Sequence, residues 1–170
     1  MFHISQVEGV EPLEKPLQEV TPIEQAEKKI LEYVSREGIK YTETISNKAY
    51  YSPLADAVVV PSKNQYKNAN EFYSTAYHEL VHSTGHYSRL ARISTTDIAA
   101  FGSHEYSKEE LVAEIGSATL MNRMQLETVN TFRNTAAYIQ SWLKVLKNDN
   151  RFIVSAASKA EKAVNYILGV

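Results

Sequence analysis

His78-Glu79-Leu80-Val81-His82 is an H-E-x-x-H segment. Two histidines four residues apart stand one turn apart on the same face of a helix. That spacing lets two imidazoles grip one tetrahedral metal ion, most often zinc. Glu79 is placed to act as general base toward a metal-bound water. The five-residue pattern also arises by chance, so its flanks must be read. Asn68 and Glu71 have the spacing of a capping box, which predicts a helix start. Phe72, Thr75, Ala76 and Leu80 recur at helical spacing, and Gly85 is a natural stop. The rival reading is an amphipathic helix with two surface histidines. A helical frame, a Glu in the right slot and a terminating Gly weigh against it together.

A third ligand must come from elsewhere. The longer motif H-E-x-x-H-x-x-G-x-x-H would place it at position 88, which is Ser88. His86 comes two residues early and reads as a polar residue after the helix. A better source is the segment from Ser107 to Ala118, a second long helix with Leu111, Ile115, Ala118 and Met121 on one stripe. Glu110 and Glu114 lie one turn apart on its side. Glu110-Leu111-Val112-Ala113 has the E-x-x-A form in which helices of this kind offer a carboxylate to a metal. Glu114 would then stand behind a ligand imidazole and orient it. The alternative is that Ser107 and Glu110 form a capping box, in which case Glu114 is the ligand. Glu109 points off this face and is expected in solvent. Gly116, Ser117 and Ala118 are small enough to let another helix approach closely.

The elements that must position these residues are legible around them. Thr21-Pro22-Ile23-Glu24 has a helix-start pattern, and that helix should run to Glu37 and stop at Gly38. Ile39 to Ile45 reads as a strand. Ala49 to Tyr51 and Ala57 to Val60 read as a hairpin closed by Pro61. Residues 1 to 21 hold Pro12, Pro16 and little periodicity, so we expect an extended arm there and one domain over 22–170. Arg89 to Arg92 suggests a short helical turn, and Phe101 to Tyr106 a loop with His104 and Glu105 facing solvent. Tyr106 is a candidate phenol for oxyanion stabilisation. Thr131 to Leu146 and Phe152 to Leu168 read as amphipathic helices, with Tyr138, Ile139, Trp142, Leu143, Val145 and Leu146 as core. The fold class expected is α+β, mostly helical, with a small N-terminal β-sheet.

Composition narrows the function. The chain has 170 residues, net charge −2 and no cysteine. That suits a single domain with a real core and excludes thiolate ligands and disulfides. No signal peptide or membrane span is visible, so we expect a cytoplasmic protein with no membrane partner. The basic residues Lys144, Lys147, Arg151, Lys159 and Lys162 are spread along the C-terminal part and read as solvated helix faces rather than a nucleic-acid patch.

Tyr77 to Leu90, Phe101-Gly102-Ser103, Glu109 to Gly116 and Ala137 to Lys144 together resemble the C-terminal zincin-like metallopeptidase domain of ArdC-type antirestriction proteins. Related primase-like proteins of conjugative elements carry a similar domain. The resemblance runs from about residue 22 to 170, and Phe2 to Gly9 is similar to the segment that precedes this domain in the family. It implies one Zn2+ or another divalent metal, with His78, His82 and Glu110 as ligands and Glu79 as base. It also implies a role in protecting mobile DNA from host restriction, with a protein or peptide substrate and a host restriction protein as a possible partner. The family's single-stranded-DNA-binding domain lies outside the resemblance, so DNA binding is not expected of this domain alone. Two alternatives remain: a non-catalytic, metal-stabilised protein-binding module, or an accessory single-stranded-DNA-binding domain.

Overall fold

A computed structural model of the chain describes residue 17 and residues 19–93, 103–146 and 150–170. Among them the order is α1 (Glu24–Glu37), β1 (Lys40–Thr44), β2 (Tyr50–Ser52), β3 (Ala57–Pro61), α2 (Ala69–Ser83), α3 (His104–Arg123), α4 (Val129–Val145) and α5 (Asn150–Leu168). This is the expected α+β architecture, mostly helical with a small sheet near the N-terminus. Most of the arm expected over residues 1–21 falls outside the described residues, as do Phe101, Gly102 and Lys147.

Helix α1 begins later than Thr21-Pro22 suggests. Its cap is Ile23, which supplies no side-chain bond. Instead the Ile23 N–H donates to the Tyr73 hydroxyl at 2.9 Å, so α2 satisfies the start of α1. Gly38 closes the helix in the left-handed region at φ 70°, as its sequence position predicts.

The sheet has the order β1-β3-β2. Strand β1 runs parallel to β3, and β2 pairs antiparallel with β3 through Tyr51 and Val58. Val58 and Val60 are fully buried, while Val59 on the other face is half-buried. Strand β2 is therefore an edge. Its turn is held by Asp56, which takes a positive φ of 44°. Asp56 and the Tyr51 hydroxyl both receive hydrogen bonds from Arg89, whose side chain is 1% exposed. Arg89 also donates to the Ser83 carbonyl at 2.7 Å, tying the hairpin to the end of α2. Arg89 to Arg92 form turns, with Ala91 in the left-handed region, in place of the expected helical turn.

Helix α2 starts where the sequence says: the Asn68 side chain accepts from the Glu71 N–H. It is buried almost all round, with Phe72, Tyr73, Ala76, Tyr77, Leu80 and Val81 at 0% exposure. Its end departs from expectation. Thr84 caps it in right-handed geometry, and Gly85 does not take a positive φ. Gly85 is required for space instead, since a Cβ there would lie 2.7 Å from Ile93.

Helix α3 crosses α2 closely because of Gly116. A Cβ on Gly116 would meet Val81 at 2.8 Å, and Ser117 next to it donates to the Ser74 carbonyl at 2.7 Å. The small residues thus act as their sequence suggests. The start of α3 is earlier than expected: Ser103 is the cap, accepting from the Tyr106 N–H, and the segment from His104 is helix rather than loop. Ser107 is inside the helix and bonds back to the Ser103 carbonyl. The capping-box alternative for Glu110 therefore fails.

Helix α4 opens with a capping box between Thr128 and Thr131. It meets α3 along a narrow face, with Ile139, Trp142 and Leu143 packed against the core and Leu146 buried. Tyr138 lies off that face and is 57% exposed, which corrects its assignment to the core. Helix α5 packs through Ala156, Ala160, Ala163, Val164 and Ile167, a row at helical spacing.

The Gly116–Val81 contact yields a stability test. Gly116→Ala should destabilise the fold by about 1–3 kcal/mol through overpacking, measured by denaturant unfolding. Adding Val81→Ala should recover part of that loss, a non-additivity that two independent sites would not show.

Candidate metal centre

Helix α2 presents His78 and His82 one turn apart, and their Nε2 atoms face each other at 3.1 Å. Helix α3 brings Glu110 between them, with Oε2 3.4 Å from His78 Nε2 and Oε1 3.5 Å from His82 Nε2. One ligand atom from each of the three lies within 4.8 Å of the others. A tetrahedral ion with bonds of 2.0–2.1 Å has ligand atoms ~3.3 Å apart, so the facing Nε2 atoms already stand near that spacing, with a Glu110 oxygen close to each. The donor set of two imidazoles and a carboxylate fits a divalent cation.

The second nitrogen of each imidazole also has a carboxylate. Glu114 Oε1 is 3.6 Å from His78 Nδ1, and Glu109 Oε1 is 3.5 Å from His82 Nδ1. Such partners fix the tautomer and ring orientation of a metal-binding histidine. Glu114 thus sits behind the ligand triad, as its spacing allowed. Glu109 corrects the expectation of a solvated side chain: its side chain is only 19% exposed and is gripped by Arg92 through Nε at 3.1 Å and Nη2 at 2.8 Å. Arg92 also donates to the Thr84 hydroxyl and the Val81 carbonyl. It therefore fastens the end of α2 to α3 through the residue that faces His82. Sequence spacing gave no sign of Arg92, which lies in an irregular segment.

Glu79 points to the same place from the adjoining face of α2, and it is 7% exposed. Burial raises its pKa, with Glu110 adding to the rise; the neighbouring imidazoles and the Tyr51 backbone oppose it. Burial also works against ionised Glu110, but bonds from His78 and His82 outweigh it and hold the carboxyl well below the usual range. Tyr106 hydrogen-bonds Glu110, and burial keeps its phenol protonated. Burial alone would favour neutral His82, yet Glu109, Glu110 and Glu79 push its pKa up to about 10. His86 stays apart from this group: it is buried, and its Nδ1 bonds the Ser88 hydroxyl at 2.7 Å. Glu105 faces solvent as expected, with a side chain 74% exposed.

The triad opens on a cleft of about 800 Å³. Tyr50 and Tyr51 of edge strand β2 form one wall, Tyr106 another, with His78, Glu79 and Glu110 between them.

The sequence profile of zincin-like metallopeptidases matches residues 28–159. The chain belongs to this family. Among curated proteins, the zincin-like domain is 37% identical to a DNA primase TraC of Escherichia coli, over 99% of this chain and 15% of that protein. It is 34% identical to the uncharacterized protein y4eC of Sinorhizobium fredii, over 98% of this chain and 52% of that one. Among solved structures it resembles the antirestriction protein ArdC of plasmid R388 in its Mn(II)-bound form, with TM-score 0.68 and 30% identity over 99% of this chain and 60% of that chain. The metal-free ArdC structure matches with TM-score 0.65. The chain thus spans between about a seventh and three fifths of these relatives. No helix among the described residues is long and apolar enough to cross a membrane.

A proton on His82 must leave before its nitrogen can bind a cation. With His82 raised to about 10, the protonated form dominates at neutral pH, and rising pH favours the metal. Metal affinity should therefore climb roughly tenfold per pH unit between about pH 6 and 8, with about one proton released per ion. Calorimetry in buffers of different ionisation enthalpy measures this, and a pH-independent affinity would contradict it. Glu110→Ala should abolish metal retention, while Glu109→Ala or Glu114→Ala should weaken it about 10–100-fold.

Proposed function

We propose that this domain is a metal-dependent peptidase in which His78, His82 and Glu110 hold one divalent cation, with zinc the best match to the donor set, and Glu79 is the catalytic base. The observation that carries this reading is the convergence of three ligand groups: the two Nε2 atoms are 3.1 Å apart, each has its own Glu110 oxygen at 3.4 or 3.5 Å, Glu79 stands beside them and a cleft opens before them. A structural site fills all coordination positions with protein atoms, whereas three protein ligands facing a cleft leave room for water. An octahedral ion with bonds of ~2.2 Å has an edge of ~3.1 Å, so manganese suits the 3.1 Å separation of the two Nε2 atoms as well.

The cation, when bound, supplies Lewis acidity that brings the pKa of a coordinated water toward neutrality. Glu79 takes the proton released as water attacks a peptide carbonyl and passes it to the leaving amine. The outer edge of β2 offers main-chain groups to an extended peptide, the pairing mode of strand addition. Tyr106 orients Glu110 and stands on the cleft wall, within reach of a substrate oxyanion.

The likeness to ArdC supports an antirestriction setting, in which the peptide belongs to a host restriction protein in the cytoplasm. The likeness to TraC primases and to a plasmid-borne ArdC supports a reading in which the domain serves a mobile element. Residues 22–170 are read as the peptidase domain and residues 1–21 as its connecting arm.

Glu79→Gln should keep metal and lose hydrolysis of a protein substrate by about 10²–10⁴-fold, the usual worth of a general base. His78→Ala should lose both. Fluorogenic peptide-library cleavage and metal analysis of the same preparations test this. Undiminished metal-dependent cleavage by Glu79→Gln would overturn the role of Glu79.

A further inference from the structure

A second cleft, of about 500 Å³, opens on the other side of the ligand triad between α2, α3 and α4. His78 and Glu110 line both clefts. The partition between them is aromatic: Tyr106, on the wall of the first, meets Trp142, on the wall of the second, edge-on with ring centroids 5.7 Å apart. A chain lying across the metal centre can therefore place a side chain in either space.

The chemistry of the second cleft differs from that of the first. Two carboxylates line it besides the ligand Glu110: Glu114, 92% buried by its 8% exposure, and Glu71 nearer the surface. Glu114 meets His78 through one oxygen, Oε1. Rings of Tyr66, Tyr138 and Trp142 supply π-faces. Hydroxyl and amide groups from α2, α3 and α4 complete the lining, and Lys67, exposed at the mouth, is its one Lys or Arg among the described residues. An aliphatic side chain would strip water from these polar groups without replacing the lost bonds. An acidic one would face like charge. A cation gains twice, from carboxylates and from aromatic faces.

We propose that this second cleft receives a basic side chain, arginine or lysine, flanking the bond that the metal centre attacks. Glu114 and Glu71 pair with the charge, and Trp142 and Tyr138 stack on the planar or methylene part of the side chain. The inference rests on the peptidase reading of His78, His82, Glu79 and Glu110, and it adds a substrate class: peptides with a basic residue beside the scissile bond.

Peptide hydroxamates test it, because their binding is read without turnover. The residue next to the hydroxamate is arginine or citrulline, its uncharged isostere, with the peptide built out in either chain direction. Calorimetry on the zinc-loaded protein should show the arginine compound binding about tenfold more tightly in at least one series. Glu71→Gln and Tyr138→Ala should each reduce that preference severalfold, while acetohydroxamate, which has no side chain, binds all three proteins alike. Equal affinity for arginine and citrulline compounds, with acetohydroxamate still bound, overturns the inference and leaves the peptidase reading standing. A preference untouched by both substitutions overturns the cleft assignment. Failure of the metal-loaded protein to bind any hydroxamate removes the peptidase reading and the inference with it.

Discussion

Four carboxylates crowd two imidazoles at the crossing of α2 and α3: Glu79, Glu109, Glu110 and Glu114, each either buried or with little of its side chain in water. Like charges this close and this dry cannot all remain ionised without compensation. Arg92 supplies one positive charge, spent on Glu109. The protein groups alone relieve the rest by protonation: His82 is pushed up to about 10, and burial drives Glu114 up to about 6 with Glu110 and Glu79 adding to it. A divalent cation resolves the same conflict better. With both imidazoles neutral, four carboxylates and Arg92 leave an excess of three negative charges, and the ion reduces it to one. The residues that would be a liability in an ordinary core thus form a site whose charge a divalent cation could offset.

Helix packing decides whether that cluster exists at all. His78 and His82 share a face of α2 by periodicity alone, but Glu110 reaches them only because Gly116 lets α3 close on Val81. The stretch of α3 from Glu109 to Glu114 then does three jobs. Glu110 faces both Nε2 atoms, Glu109 faces the rear of His82, and Glu114 faces the rear of His78. Arg92 locks the arrangement from outside by holding Glu109 and the Val81 carbonyl of α2 together.

What could be read from sequence divides along the same line. Period and spacing exposed the two helices, the histidine pair, Glu79 and the Glu110/Glu114 choice, because these depend on neighbours within one turn. The hairpin was legible through its apolar runs, and Gly116 through the cluster of small residues. Glu109 was misread because a single helix gives each residue one face, whereas the crossing helix α2 covers the flank that Glu109 occupies. Ser107 mimicked a cap because the real cap, Ser103, has the same chemistry one turn earlier. Gly85 looked like a left-handed stop, but its role is to admit Ile93, a contact no local pattern encodes. Tyr138 looked like core because apolar Ala137 and Ile139 flank it in sequence, yet at helical spacing its neighbours include Asn134, Thr135 and Ser141, and it is exposed.

The edge strand and the end of α2 that carries Glu79 are held together as one unit. Burial works against an ionised Asp56, and the guanidinium of Arg89 overcomes it, holding that carboxyl below its usual range. The same guanidinium bonds the Tyr51 hydroxyl and the Ser83 carbonyl of α2. Tyr51 in turn lines the same cleft as Glu79. A hairpin free to move would shift that cleft wall relative to Glu79, His78, His82 and Glu110. With Arg89 buried between them, the strand that can seat a peptide and the carboxylate that can take a proton keep one geometry, which is the preorganisation that proton transfer in a cleft requires.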